Sequence, residues 1–152
     1  MPIRILAVGK KHESWVSEGI DRYETRLKKP FDTEWVLIPH SSREGDLARK
    51  EESERLLGRL KPEEFVVLLD ETGKQLDSPA LSHLLLQQLE ISRPVTVIIG
   101  GAYGVDAGLQ ARADYIWSLS PLVFPHQLVR LILTEQLYRA QEIASGGSYH
   151  HM

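Results

Sequence analysis

The sequence of 152 residues contains no cysteine, so it has no disulfide framework, no thiol nucleophile and no zinc site built on thiolates. No apolar run approaches the ~18–20 residues that a membrane-spanning helix needs. The N-terminal segment MPIRILAV is too short, and too polar at its flanks, for a signal peptide. We therefore expect a cytoplasmic protein that does not enter a membrane.

Two common catalytic signatures are also missing. No glycine-rich segment ends in Gly-Lys-Ser/Thr, which excludes a P-loop, and no Gly-x-Ser-x-Gly elbow of an α/β-hydrolase is present. Charge of one sign is not in large excess either. Because the net charge is −3, the molecule as a whole does not attract nucleic acid strongly.

The charges are nevertheless distributed unevenly. The first 30 residues carry seven Lys/Arg and four Asp/Glu, a net charge of +3, whereas residues 31–90 have a net charge of −6. The basic residues of this N-terminal patch include Lys10, Lys11, Arg22, Arg26, Lys28 and Lys29. Either they form a solvated helix face or they form a modest surface that contacts phosphate, and the sequence favours neither.

The hydrophobic pattern predicts one domain over residues 1–152, in which strands and helices alternate. The predicted strands are Ile3–Val8, Trp35–Ile38, Phe65–Leu69, Val95–Ile99 and Tyr115–Leu119. The predicted helices are Ser14–Leu27, Asp46–Leu60, the segment from the Asp77-Ser78-Pro79 start to about Leu89, the segment from Val105 or Asp106 to Ala111, and the segment from about His126 to Ala144. This alternation predicts an α/β fold with a mostly parallel sheet and helices on both of its faces.

Three of the predicted strands end in segments that are suited to a ligand. Asp70 follows the third strand, Gly100-Gly101 follow the fourth, and an apolar segment that reaches Phe124 follows the fifth. Because the carboxyl ends of parallel strands share one edge, we expect a cleft there, made of backbone and apolar side chains and suited to a flat ring such as adenine. The alternatives are a purely structural glycine turn and a dinucleotide fingerprint, which GGAYG matches poorly.

The last helix has too wide an apolar arc for a helix that packs on one side only. Its apolar residues are Leu128, Val129, Leu131, Ile132, Leu133, Leu137, Tyr138 and Ile143. A central helix of a larger core is one explanation. In so short a chain we favour a second subunit that covers the surplus.

Polar residues of interest lie at the start of this helix and after its end. His126 follows Pro125, and Arg130 lies one turn later; an isolated histidine there is often only a structural hydrogen-bonding group. The tail after Gly146-Gly147 has no apolar anchor beyond the ring of Tyr149, so it is either a frayed end or a segment that places side chains over a cleft. Adjacent His150 and His151 lack chelating spacing and an acidic partner, so no metal site is expected.

Several segments together resemble the ribosomal RNA large-subunit methyltransferase H family, which consists of small bacterial SPOUT methyltransferases. They are VGK near the N-terminus, FVVLLDETG, VTVIIGGAYG, WSLSPLVFPHQLVRLILTEQLYRA and a terminal YH. The similarity runs from Ile5 to His150 and is most specific between Pro125 and Ala140. The chain departs from the family at Ala102-Tyr103, where Pro-Glu is usual, and at His151, where arginine is usual.

The resemblance implies a C-terminal trefoil knot in the α/β fold, a homodimer, and S-adenosylmethionine as methyl donor with no metal. It implies methylation of N3 of a pseudouridine in the helix-69 loop of 23S ribosomal RNA, with the assembled ribosome as partner. Two other functions remain open. One is a nucleotide-binding module that has lost catalysis, and the other is a dimeric scaffold of ribosome assembly.

The resemblance also implies roles for individual residues. The cofactor contacts at matching positions are Leu69, Gly100, Leu119, Ser120, Pro121, Leu122, Val123 and Phe124. Tyr149 and His150 are expected to close over the target base and to serve methyl transfer rather than folding. His126 and Arg130 are expected at the rim of the pocket.

Overall fold

The computed structural model describes residues 1–151, in which strands and helices alternate as the sequence predicts. The strands are β1 (Ile3–Val8), β2 (Thr33–Ile38), β3 (Phe65–Gln75), β4 (Val95–Ile99) and β5 (Tyr115–Ser118). The helices are α1 (Ser14–Glu24), α2 (Gly45–Leu57), α3 (Ser78–Glu90), α4 (Ala107–Arg112) and α5 (His126–Ser145). Each predicted element is present, so the α/β prediction is confirmed.

The five strands form one sheet in the order β2-β1-β4-β3-β5, and every neighbouring pair is parallel. In this register Leu69 of β3 lies beside Ile99 of β4 and Trp117 of β5. The carboxyl ends of these three strands therefore meet at one edge of the sheet. The turn at Gly100 and the segment from Leu119 to Phe124 start from that edge.

Helices cover both faces of the sheet. Since successive side chains of a strand point to opposite faces, alternate residues of β1 enter two separate cores. Ile5 packs in a core that includes residues of α3 and α5, whereas Leu6 packs in a core with residues of α2 and α4. Helix α1 packs against α5. The prediction of a parallel sheet that is covered on both faces is confirmed.

Strand β3 differs most from its predicted form, because it continues past Leu69 to Gln75. Its polar end pairs again with β5 after an irregularity, with Lys74 beside Trp117. Gly73 permits this close approach, since an added Cβ would lie 2.5 Å from the carbonyl oxygen of Ile116. The polar sequence of this end has no strand-like alternation, so only its pairing with β5 identifies it as a strand.

The boundaries of two helices differ from the predicted ones by a few residues. Helix α1 ends at Glu24, before the predicted Leu27, and α2 ends at Leu57, before the predicted Leu60. Both helices are followed by hydrogen-bonded turns, in which backbone N–H groups donate to carbonyls three or four residues earlier in the chain. Within residues 1–151 we find no helix that has both the length and the apolar character to span a bilayer.

Candidate active site

A cleft of about 580 Å³ opens at the carboxyl edge of β3, β4 and β5. Seven of the eight residues predicted to contact a cofactor form its wall. They are Leu69, Gly100, Leu119, Ser120, Leu122, Val123 and Phe124. Pro121 belongs to the same loop but does not line the cleft. The strand ends that the sequence singled out therefore meet in one place.

The cleft also has walls that the sequence did not indicate. Arg49 of α2 reaches the glycine loop, where its Nε donates a hydrogen bond of 2.8 Å to the carbonyl oxygen of Tyr103. Gln110 of α4 and Val129 of α5 also line the cleft. Arg49 lies in a helix whose charge pattern is that of a solvated surface, so no local signal distinguishes it from its neighbours.

The glycine loop that follows β4 depends on missing side chains. An added Cβ at Gly100 would lie 2.9 Å from Cγ1 of Val105, and one at Gly101 would collide with the carboxylate of Glu52. Gly104 has a φ of +74°, which glycine adopts without strain. The loop closes through a 3.0 Å hydrogen bond from the N–H of Gly104 to the carbonyl of Gly101. The glycines thus shape the turn in addition to exposing its backbone.

A buried carboxylate lies behind this loop. Glu52 of α2 is only 4% exposed, and its Oε2 accepts a 2.8 Å hydrogen bond from the N–H of Ser41. Its Oε1 has no hydrogen-bond partner among residues 1–151. Glu52 occupies the space that a Cβ at Gly101 would fill, so the two residues depend on each other. The sequence did not indicate this residue.

His126 lies in the wall of the cleft, at the start of α5. Burial lowers its pKa, and the charge of Arg130 lowers that pKa further, whereas the carboxylate of Glu52 acts in the opposite direction. Because the ordinary pKa of histidine is 6.5, His126 is uncharged at neutral pH. It can accept a hydrogen bond at one ring nitrogen and donate one from the other.

Arg130 is not at the rim of the cleft, which corrects the expectation from the resemblance. It is 1% exposed and does not line the cleft. Its Nη1 donates to the carbonyl of Lys10 at 2.8 Å and to Nδ1 of His12 at 3.2 Å. Arg130 thus fixes the loop between β1 and α1. Its place on the buried side of α5, one turn after His126, directs it to this loop.

The tail is bound to α5 more firmly than the sequence suggested. The ring of Tyr149 packs edge-on against Tyr138, with centroids 4.8 Å apart, and its hydroxyl donates to Oε2 of Glu135 at 2.9 Å. The guanidinium of Arg139 lies 4.7 Å from the centre of the Tyr149 ring and also donates to Glu135. Burial, and then the hydrogen bond to Glu135, raise the pKa of Tyr149, so its hydroxyl remains protonated.

His150 enters a second cleft of about 500 Å³, which we call the tail cleft. Its lining residues are Leu76, Asp77, Ser78, Pro79, Trp117, Leu119, Phe124, Ile132, Gln136 and His150. Leu119 and Phe124 also line the first cleft, so these two side chains separate the clefts. The structure therefore places the tail histidine next to the site predicted for the cofactor.

A parallel sheet with a cleft at its carboxyl edge is typical of ligand-binding α/β proteins, and similarity to known proteins identifies the class. Residues 1–150 match the family model described as "Predicted SPOUT methyltransferase", and the chain therefore belongs to the SPOUT methyltransferase family. A solved structure of a methylase family protein from Neisseria gonorrhoeae superimposes with a TM-score of 0.51 at 12% identity. That match covers 99% of this chain and 86% of the other, and at this identity it supports the fold alone.

Within that family the curated relatives are named ribosomal RNA large subunit methyltransferase H. The relative from Desulfitobacterium hafniense is 40% identical over 158 residues, and the alignment covers 99% of each chain. The relative from Pseudomonas putida is 39% identical over 154 residues, again with 99% of each chain covered. The family membership that the motifs indicated is therefore confirmed over the whole length.

Proposed function

We propose that this chain transfers a methyl group from S-adenosylmethionine to ribosomal RNA of the large subunit. The target is N3 of a pseudouridine in the helix-69 loop of 23S ribosomal RNA, and the substrate is the assembled ribosome. The observation that carries the proposal is the cleft at the three strand ends. Seven of the eight positions that match the family's cofactor contacts lie together there.

The cleft is suited to S-adenosylmethionine in size, surface and charge. Its volume of about 580 Å³ is typical of small-molecule sites. The absence of a Cβ at Gly100 leaves backbone accessible to a flat ring, and Leu69, Leu119 and Phe124 supply apolar contacts. Asp70 and Glu71 add carboxylates to the wall and Arg49 adds a guanidinium, which together suit a ligand that carries a sulfonium, an ammonium group and a carboxylate.

S-adenosylmethionine supplies a methyl group that its sulfonium already activates, so the task of the chain is to align this methyl group with the nucleophilic nitrogen of the RNA. Neutral His126 suits this role, because a charged imidazolium in the wall would repel a positive ligand. Tyr149 anchors the tail through its ring and hydroxyl. His150 then lies next to Leu119 and Phe124, at the boundary with the cofactor cleft.

We further propose that the active form is a homodimer that joins through α1 and α5. A groove of about 490 Å³ runs between these helices, and it is lined by apolar residues such as Trp15, Leu128, Leu131 and Ile132. Trp15 is 52% exposed, an unusual state for so large a ring. A second copy would cover this groove and so satisfy the wide apolar arc of α5.

The test is methyl transfer with isotopically labelled S-adenosylmethionine. The acceptors are 70S ribosomes, free large subunits and deproteinised 23S ribosomal RNA, all from a strain that lacks this modification. We expect label in 70S ribosomes at a single helix-69 nucleotide, located by mass spectrometry of RNase fragments. Cofactor binding without transfer to any acceptor would favour the binding module. Absence of both would favour the assembly scaffold.

A further inference from the structure

The wall of the cleft at the strand ends contains one lysine or arginine among residues 1–151, and it is Arg49 of α2. Its side chain is 39% exposed. Nε donates to the carbonyl oxygen of Tyr103 at 2.8 Å, and Nη1 donates to Oδ1 of Asp46. Because a guanidinium carries five N–H donors in one plane, these two hydrogen bonds leave Nη2 for a ligand that enters the cleft.

The face of α2 that carries Arg49 is attached to the glycine loop at three points. Arg49, Glu52 and Ser53 share this face, because residues three and four positions apart are neighbours on a helix. The hydroxyl of Ser53 accepts a 2.9 Å hydrogen bond from the N–H of Asp106, and Glu52 fills the space beside Gly101. The guanidinium of Arg49 therefore has a defined position relative to the backbone that lines the cleft.

The charge of Arg49 is only weakly neutralised within the chain. The carboxylate of its partner Asp46 is 92% exposed, so water screens this ion pair and the pair contributes little. Its other partner, Tyr103, offers an uncharged carbonyl oxygen. A ligand anion inside the cleft would be screened less than Asp46 is, and it would bind to Arg49 through the free Nη2 donor.

Carboxylates occupy another part of the same wall. Asp70 and Glu71 follow Leu69 in β3, and β3 is the neighbour of the strand from which the glycine loop starts. Oδ1 of Asp70 accepts from the N–H of Thr72 at 2.9 Å and from its hydroxyl at 2.6 Å, which fixes this carboxylate and leaves Oδ2. The cleft thus presents charges of both signs, as the ammonium and carboxylate of an amino-acid group require.

We infer that Nη2 of Arg49 binds the carboxylate at the amino-acid end of the cofactor, while the carbonyl of Tyr103 holds the guanidinium in place. The inference rests on the proposed function and adds a residue that determines which adenosyl compounds bind. Leu119 and Phe124 pack against the ring, and Asp70 binds the ammonium group. Arg49 takes no part in methyl transfer itself, since it neither gives nor receives a proton.

The test compares two ligands that differ by the carboxylate alone, S-adenosylmethionine and its decarboxylated analogue. We expect the wild-type protein to bind S-adenosylmethionine about tenfold more tightly than the analogue, because a charge-assisted hydrogen bond is lost with the carboxylate. Arg49→Gln should weaken S-adenosylmethionine by about tenfold and the analogue by less than about twofold. Titration calorimetry on the full-length protein measures all four affinities without requiring any RNA.

The comparison separates ligand binding from an effect on the loop. Arg49→Gln also loses the hydrogen bond to Tyr103, and a displaced loop would weaken both ligands equally. Arg49→Lys keeps the charge but loses the planar donor pair, so we expect it to restore part of the preference for the carboxylate. Melting curves of both variants verify that they are folded.

Arg55→Gln is the matched control. Arg55 lies in the same helix with a side chain that is 37% exposed, and it also donates to one backbone carbonyl, that of Pro39, and to one carboxylate, that of Glu51. It does not line the cleft. We expect this variant to bind both ligands as the wild-type protein does.

The outcomes distinguish this inference from the proposed function. Equal losses for the two ligands in Arg49→Gln, or an unchanged affinity for S-adenosylmethionine, would overturn the role of Arg49 and leave the methyltransferase in place. A wild-type protein that does not bind S-adenosylmethionine would overturn the proposed function itself. A wild-type protein that binds it but modifies no ribosomal acceptor would overturn the proposed activity, and the four affinities would still decide the role of Arg49.

Discussion

At the scale of single residues, the glycine loop after β4 leaves little room for a side chain at Gly100. Gly100 lines the cleft, and the position of its missing Cβ lies 2.9 Å from Val105. Any side chain there must either displace Val105 or enter the cleft. Gly100 is thus required for the turn, and its contact with a ligand stays a prediction.

We predict that Gly100→Val lowers the affinity for S-adenosylmethionine at least tenfold, a loss of about 1.4 kcal/mol of binding free energy. The measurement is titration calorimetry, accompanied by a melting curve because Val105 must also adjust. Gly58→Ala is the matched control, since an added Cβ there meets only ordinary contacts of 3.5 Å or more, away from the cleft. Unchanged binding in a folded Gly100→Val protein would place the site elsewhere.

Two histidines around Arg130 make stability depend on pH. Burial, followed by the charge of Arg130, lowers the pKa of both His12 and His126 below the ordinary value of 6.5. Asp21 and Glu52 oppose these shifts in His12 and His126 respectively. The folded state therefore binds protons less readily than the unfolded chain does.

We predict that the free energy of unfolding falls as the pH decreases from 6.5 through the lowered pKa values of these two histidines. Above 6.5 both states are uncharged at these positions, so the contribution is complete there. Urea unfolding between pH 7.5 and 5 measures this dependence. The double variant His12→Asn/His126→Asn should show a shallower loss over the same range, and an identical slope would contradict the assignment.

At the scale of secondary-structure elements, α5 performs three tasks along its length. Its first turn supplies His126 to the cleft at the strand ends, its buried side supplies Leu133 and Leu137 to the core, and Glu135 and Arg139 hold the tail. Because α5 contacts the cleft, the core and the tail, a substitution at one of these three contacts can be tested for effects on the other two. Two predictions use this property.

We predict that the native protein sediments at micromolar concentration as a species of about twice 17.3 kDa. Leu128→Lys should shift it toward the monomer, since a lysine in the groove between α1 and α5 would have to lose its hydration on pairing. Ile91→Lys, at an exposed apolar position directly after α3, is the matched control. A wild-type monomer would refute the proposed interface.

We predict that deletion of residues 148–152 abolishes methyl transfer and leaves the affinity for S-adenosylmethionine nearly unchanged. Because the Tyr149 ring and its hydrogen bond to Glu135 are lost, the melting temperature should fall by about 2–4 °C for each kcal/mol removed. Tyr149→Phe separates these effects, since it loses the hydroxyl and keeps the packing on Tyr138. Native transfer by the truncated protein would show that the tail is dispensable.

At the scale of the whole molecule, Arg4 is the one basic residue of the first 30 that forms an ion pair within residues 1–151, with Glu64 at 2.7 Å. The ion pairs within residues 1–151 involve none of the six cations that define the patch. Three of the six, Arg26, Lys28 and Lys29, border a cavity of about 580 Å³ next to Tyr138, the residue on which the tail packs. The side-chain amide of Gln141 accepts a hydrogen bond from the N–H of Lys28 and donates one to the carbonyl of Arg26. These two bonds fix the backbone that carries the cations.

We predict that Lys28→Gln/Lys29→Gln weakens binding to ribosomes and lowers the slope of log affinity against log salt by about 1 for each phosphate that the variant no longer neutralises. The same pair of substitutions should not alter cofactor binding. Lys50→Gln/Lys74→Gln in the acidic middle of the chain is the control for net charge. An unchanged salt slope in the Lys28→Gln/Lys29→Gln variant would show that these lysines do not contact phosphate and belong to a solvated surface.

The trefoil knot that the resemblance implies stays a prediction at this scale. Most folds avoid threading the chain through itself, so a knot would be an unusual property. The homodimer and the helix-69 target likewise stay predictions until they are measured.

Local sequence patterns were sufficient to predict the order of strands and helices, the parallel sheet and a cleft at the carboxyl ends of three strands, whereas cofactor binding in that cleft stays a prediction. Hydrophobic periodicity and the positions of glycine and proline are local properties, and parallel strands necessarily bring their carboxyl ends to one edge. For this reason Leu69, Gly100 and Phe124 could be grouped from the sequence alone. The specific run from Pro125 to Ala140 added the family, which the matched relatives confirm.

Which polar groups meet was decided by tertiary packing. Arg130 donates to the carbonyl of Lys10 instead of lining the cleft, and this partner lies 120 positions away in the chain, beyond the reach of any local pattern. Glu52 fills the space beside Gly101, and Arg139 orients His150 from the helix before the tail. Such pairs depend on packing between distant segments, where the gain of a hydrogen bond is set against the cost of burying a charge. No periodicity in the sequence encodes that balance.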